Sequence, residues 1–159
     1  MTNGIEANDC MIKTFTSLLS LGILVAGCTS GRPVNLGVHD GKLAPCPATP
    51  NCVSSQSTDK DHAVEPVRFS GTPAEAMASL KKVLAGLPRV RIVTATEAYL
   101  HAEFTSALFR FKDDVEFWID ESTKTIHLRS ASRVGSNDLG VNRKRVEDIR
   151  GALAALRPE

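Results

Sequence analysis

Val115-Glu-Phe-Trp-Ile-Asp-Glu-Ser-Thr-Lys-Thr-Ile-His-Leu-Arg129 decides the fold. Val115, Phe117 and Ile119 alternate with Glu116, Trp118 and Asp120, and Ile126 and Leu128 alternate with Thr125, His127 and Arg129. Side chains on a strand point to opposite faces in turn, so this period of two marks two half-buried strands. The polar link Asp120-Glu-Ser-Thr-Lys124 suits a short hairpin loop. Two strands with one apolar face need a covering layer, and the flanking sequence supplies it.

Upstream, Thr72 is a natural N-cap, Pro73 follows at the first helical position, and Glu75 completes a capping box. Met77, Leu80, Leu84 and Leu87 fall on one face, and Gly86 and Pro88 end the helix. Downstream, Val146, Ile149, Leu153 and Leu156 define a second amphipathic helix, with Asn142 as its expected N-cap. Further strands are expected at Ala63–Phe69 (an edge, because of Pro66), Arg89–Thr96, Tyr99–Phe104 and Leu108–Phe111. A polar turn is expected between Phe111 and Val115. The predicted fold class is α+β, a single antiparallel sheet with two helices packed mainly on one face, preceded by a long N-terminal loop.

The N-terminal region reads as an address. Met11 to Cys28 carries one positive charge at Lys13, an apolar run to Ala26, then Val25-Ala26-Gly27 directly before a cysteine. The run is too short to span a bilayer as a helix, and small residues before a cleavage point mark a signal peptide. With the cysteine in place it resembles the lipobox of bacterial lipoproteins, which implies lipidation at Cys28. Thr29, being non-acidic, implies export to the outer membrane facing the periplasm. Glu6 and Asp9 spoil a basic leader, so translation is expected to start at Met11. The expected organisation is a signal peptide over 1–27, with 1–10 outside the translated protein. A flexible tether over 28–44 follows, then one domain over 45–159. Removal of 1–27 takes away Lys13, Glu6 and Asp9 and leaves a net charge near +2. That balance gives no argument for a nucleic-acid partner.

Beyond Cys28, the mature chain keeps Cys46 and Cys52, with five residues between them that include Pro47 and Pro50. In an oxidising compartment this pair reads as a small disulfide loop; a free reactive Cys52 is the alternative. No haem-attachment motif or metal-ligand spacing is present, so neither metal nor cofactor is expected.

Three blocks are similar to those of the domain-of-unknown-function family 1499. They are Cys46-Pro-Ala-Thr-Pro-Asn-Cys-Val-Ser-Ser-Gln56, Phe111-Lys-Asp-Asp-Val-Glu-Phe117, and Arg129-Ser-Ala-Ser-Arg-Val-Gly-Ser-Asn-Asp-Leu-Gly-Val-Asn-Arg-Lys-Arg145. The resemblance runs from about Leu43 to Leu156. Ser136 departs from it, standing where many members carry an aromatic residue. The family is found in bacterial lipoproteins and exported proteins and in some plastid proteins, and its activity is unassigned.

The third block is the best candidate site on physical grounds. Arg143, Lys144 and Arg145 follow Asn142 into a first helical turn, where the macrodipole already presents about half a positive charge. Something negative must compensate. Arg129 and Arg133, with Ser130 and Ser132, bring further donors to an anion-binding or partner-binding site. Alternatively Asp113, Asp114 and Asp138 neutralise the arginines internally. Asp113 and Asp114, as neighbours on a strand, point apart and make a poor metal or acid–base pair. Ser54, Ser55 and Cys52, with His39, His62, His101 or His127 as bases, sit in no nucleophile elbow, so no catalytic residue is assigned. His62 and His127 read as solvated, and Trp118 as packed against a loop, the alternative being an apolar pocket that it lines with Tyr99. The sequence thus points to a lipid-anchored envelope protein that binds an anionic small molecule, a lipid or an envelope protein. The alternatives are a hydrolase or transferase using the same basic pocket, or a purely structural lipoprotein.

Overall fold

The computed structural model describes residues 31–156, so the signal peptide over 1–27 and Cys28 lie outside the described residues. The chain forms β1 (Cys52–Ser54), β2 (Val67–Arg68), α1 (Pro73–Ala85), β3 (Val90–Ala95), β4 (Tyr99–Thr105), β5 (Lys112–Asp120), β6 (Thr125–Ser132) and α2 (Val141–Ala155). The sheet runs β1-β6-β5-β4-β3, and β2 pairs with the other half of β6's outer edge. Every strand pair is antiparallel.

The central hairpin forms as its alternation dictates, with Phe117 opposite Leu128 and Ile119 opposite Ile126. These side chains share one face with Leu100, Ala102 and Val115, and both helices cover that face. Helix α1 contributes Met77, Leu80 and Leu84, and α2 contributes Val146, Ile149 and Leu153. The capping box is complete: the Thr72 side chain accepts from the Glu75 amide, and Glu75 accepts from the Thr72 amide.

Several local expectations are corrected. The edge strand expected over 63–69 shrinks to Val67–Arg68, because Pro66 cannot donate to a ladder. Residues 52–54, for which the sequence reading names no strand, form β1. Leu108–Phe111 is a turn, closed by the Ser106 amide on the Phe111 carbonyl at 2.8 Å and by the Ser106 hydroxyl accepting from the Phe111 amide at 2.9 Å. Arg110 takes a left-handed φ of 58° within it. The polar turn expected after Phe111 is instead the start of β5, which runs unbroken from Lys112. Asn142 is not the N-cap of α2. That position falls to Gly140 at φ 78°, and the Asp138 carboxylate accepts from the Asn142 amide at 2.7 Å.

The stretch expected as a free tether is seated on the second face of the sheet from Arg32 onward. The Gly37 amide donates to Glu116 at 2.8 Å. His39 and Lys42 exchange backbone hydrogen bonds of 2.8 and 3.0 Å around Asp40 and Gly41, both at positive φ. This is the geometry of a two-residue hairpin turn. Gly41 lies against the Trp118 ring, where a Cβ would stand 3.5 Å from it. Leu43 and Ala44 are buried.

Candidate functional site

The sheet divides the candidate site residues into two groups. Antiparallel partners share a face, so Asp113, Val115, Ser130 and Ser132 point toward the helices. Asp114, Glu116, Arg129 and Ala131 point the other way. The expectation of one basic cluster is therefore corrected: Arg143 and Arg145 lie on the helix side, and Arg129 and Arg133 reach their acids on the other.

On the helix side Asn142 is the hub, with no exposed surface. Its amide donates to the Asn51 carbonyl at 3.0 Å and to the Ser132 hydroxyl at 2.9 Å. Its carbonyl oxygen accepts from the Ser130 hydroxyl at 2.5 Å and from Arg145 at 2.6 Å. Arg145 also pairs with Asp113 at 2.5 Å and lies over the Phe104 ring at 4.7 Å. Arg143 donates to the backbone carbonyls of Ala63 at 2.6 Å and Asp61 at 2.8 Å, pinning the 55–63 loop to α2. Lys144 pairs with Asp148 one turn along. The cations that oppose the helix dipole are thus compensated within the chain.

The opposite face carries a second network around buried acids. Glu116 accepts from the Tyr99 hydroxyl and the Gly37 amide, each at 2.8 Å, and pairs with Arg129 at 3.3 Å. Burial first, and then the Glu116 charge, push the Tyr99 phenol well above its ordinary range. Asp114 accepts from His101 at 2.7 Å and from Arg133 through two bonds. Burial works to raise the Asp114 pKa, but hydrogen bonds and charge from Arg133 and His101 outweigh it and hold the carboxyl below its usual value. Glu103 meets Arg133, Arg91, Lys112 and Arg32. There too burial opposes ionisation and the surrounding cations, led by Arg133, prevail, leaving Glu103 at about 2. Arg133 is itself raised, chiefly by its hydrogen bonds to Asp114.

Asp113 and Asp114 fall on opposite faces, as neighbours on a strand must. Cys46 and Cys52 form a disulfide with Cα atoms 5.6 Å apart, which removes the free-thiol alternative for Cys52. The two solvated histidines are corrected. His62 is buried, its Nδ1 2.8 Å from the Cys52 carbonyl. His127 is half-buried and stacked on Trp118 at 5.1 Å, and burial lowers its pKa. Trp118 does pack against the N-terminal loop at Gly41.

Glu103 and Asn51 were not singled out from sequence, yet each joins three or more groups. Glu103 follows His101 and Tyr99 at period two on β4, facing Asp114 across the pair. That row of polar residues reads as a solvent face until a covering segment is found. A separate cleft of about 770 Å³ opens between the N-terminal loop and the 54–62 loop, lined in part by His39, Lys42, Ser54, Gln56, Asp59 and His62.

Among curated proteins none matches the chain. The family described as "Protein of unknown function (DUF1499)" matches residues 42–153, which contain the disulfide, all six strands and both networks apart from Arg32 and Gly37. The chain belongs to that family.

Proposed function

We propose that this protein is a lipid-anchored bacterial envelope protein whose domain serves as a non-catalytic accessory module on the outer membrane, facing the periplasm. Support for the anchor lies in the sequence: an apolar run too short to span a bilayer, small residues at 25–27, and Cys28 directly after them. Two or three acyl chains, at about 0.8 kcal/mol per buried CH₂, hold such a protein stably without a spanning helix.

The accessory role rests on one observation. Each arginine of the third sequence block already donates to groups of its own chain: Arg129 to Glu116, Arg133 to Asp114 and Glu103, Arg143 to two carbonyls, Arg145 to Asp113. At Arg129, Arg133 and Arg145 an external anion would have to displace buried carboxylates, at the cost of leaving them unpaired, and at Arg143 it would have to break the bonds that pin the 55–63 loop. The arginines fasten loops to the sheet, and function falls to the outer surface.

The test has two parts. Fractionation of cells carrying the full chain should place it in the membrane, and Cys28→Ala should move it to the soluble fraction; unchanged membrane association of Cys28→Ala removes the anchor. Inorganic phosphate added to the purified protein should leave its melting temperature at the value given by chloride of equal ionic strength. A specific rise that Arg145→Ala abolishes would return the arginines to the role of a binding site.

The open cleft beside the disulfide favours a second reading, a binding module for a small anionic compound. His39 and Lys42 on its rim supply donors that lie apart from the two ion-pair networks. A phosphate-dependent rise lost in Lys42→Ala but kept in Arg145→Ala would identify that reading.

A further inference from the structure

Two loops leave one end of the sheet, the 106–111 loop from β4 to β5 and the 133–140 loop from β6 toward α2. They hold four large apolar side chains open to water: Leu108 at 78 %, Phe109 at 68 %, Phe111 at 47 % and Leu139 at 92 % exposure. Phe109 and Phe111 stack on each other at 5.5 Å, with Arg110 between them in sequence. Arg110 and Leu139 both adopt positive φ, at 58° and 54°. Left-handed backbone at non-glycine residues is uncommon, and here it accompanies side chains presented to water. Arg89, also at positive φ, is bonded to Thr105 at the same end, with its carbonyl accepting from the Thr105 amide at 3.0 Å. Arg89 and Arg110 are exposed, whereas Asp138 in the 133–140 loop is half-buried and occupied by backbone amides. This end of the sheet therefore exposes apolar and aromatic side chains together with two arginines.

The N-terminal chain enters the structure at this same end. The Arg32 guanidinium lies 3.6 Å from Glu103, two residues before the end of β4. Cys28 precedes Arg32 by four residues, and four extended residues reach at most about 14 Å. A lipid on Cys28 thus keeps this end of the domain, and not the 121–124 end, at the bilayer.

We propose that the tip formed by Leu108, Phe109, Phe111 and Leu139 inserts into the interfacial layer of the membrane that carries the anchor, with Arg89 and Arg110 against anionic headgroups. The proposal rests on the anchored reading above and adds an orientation to it. Aromatic and arginine side chains suit the headgroup boundary, where a ring or stem is buried and the polar part stays wet. Large apolar side chains exposed at one end of the sheet, two of them stacked on each other, call for a partner surface, and the short lead from Cys28 makes the bilayer the nearest one.

The test uses the full lipidated chain with Phe109→Trp, reconstituted in vesicles of phosphatidylethanolamine and phosphatidylglycerol, with the unsubstituted chain as the Trp118 baseline. Emission from the introduced tryptophan should shift to the blue and be lost when brominated lipids replace the ordinary ones. A tryptophan placed by Glu121→Trp at the opposite end should show neither change. Emission from the Phe109→Trp side chain that stays open to aqueous iodide on vesicle-bound protein overturns the proposal. Shielding from iodide without quenching by brominated lipid also overturns it, and assigns the tip to a second copy or another protein. The full chain with Cys28→Ser, mixed with the same vesicles, separates this idea from the anchor. Residual, salt-sensitive binding that Arg110→Asn weakens about fivefold (about 1 kcal/mol) supports the tip alone. Absence of both the chain that keeps Cys28 and the Cys28→Ser chain from the vesicles overturns tip and anchor together.

Discussion

Arg133 holds Asp114 through two parallel hydrogen bonds, Nε to Oδ2 at 2.8 Å and Nη2 to Oδ1 at 2.6 Å, on the sheet face away from the helices. The same Nη2 reaches Glu103 at 2.6 Å, so one buried guanidinium neutralises two buried carboxylates. Removing one partner of such a group strands the other charge, which costs about 3–5 kcal/mol. Arg133→Met is expected to lose that much in urea unfolding. Arg133→Lys should recover only part, because an ammonium keeps the charge but not the planar fork. A loss under about 1 kcal/mol for Arg133→Met would mean that the acids find other partners.

The acid side of this network gives a pH dependence. Glu103 stands at about 2 in the fold against an ordinary 4.5, and Asp114 lies below its ordinary 3.8. Depressed carboxylate values mean stability that is present above the ordinary values and disappears as the pH falls toward 2. Glu103→Gln should therefore be less stable than the parent at pH 6, with the difference narrowing as the pH drops below 4.5. The comparison is read from urea midpoints across that range, and a difference constant with pH would exclude the charge-based account.

Asn142 and Asp138 separate two roles that the sequence assigns to one residue. Asn142→Ala removes four hydrogen bonds at a site with no exposed surface and leaves the Asn51 carbonyl, the Ser hydroxyls and Arg145 short of partners. Unsatisfied buried groups cost about 1–3 kcal/mol each, so a loss above about 3 kcal/mol is expected. Asp138→Ala removes a cap-type acceptor and should cost about 1 kcal/mol. Equal losses for the two would contradict the assignment of Asn142 as a hub.

The disulfide closes a small loop, Cys46 to Cys52, with a sequence separation of six. A closed loop of this size contributes about 2 kcal/mol by restricting the unfolded chain. The double variant Cys46→Ala/Cys52→Ala is expected to lose about that amount. Thiol titration of the unreduced mature protein should detect neither cysteine, and detection of both would mean the bridge does not form in the exported protein.

The helix face of the sheet was legible because Phe117, Ile119, Ile126 and Leu128 repeat at period two and the Thr72–Glu75 capping box is local. What escaped was set by contacts distant in sequence. Glu103, Glu116 and His101 alternate as a solvent face does, and their burial depends on residues 37–44 lying over that side of the sheet. One local signal for that segment was present: Asp40-Gly41 between His39 and Lys42 is the residue pair that a two-residue hairpin turn prefers. The division of the arginines follows from the same alternation, since Arg129 and Ser130 must face opposite sides. Their grouping by sequence proximity ignored it. The start of α2 was misplaced because Asp138 sits four residues ahead of the amide it receives, with two left-handed residues between.

The seating of the N-terminal segment also imposes an order on assembly. Gly37 meets Glu116 across 79 residues, and Asn51 meets Asn142 across 91. A chain that emerges N-terminus first has its cover ready long before the strands it covers exist. Closure of such distant pairs carries a loop entropy that must be met before any contact rewards it, which slows folding. Throughout that interval the acids of β4 and β5 stand open to water, and water is the solvent that tolerates them. Polar residues on a face whose cover comes from so distant a segment thus keep an uncovered sheet from presenting a second sticky surface, and any delay in closure carries a smaller risk of aggregation.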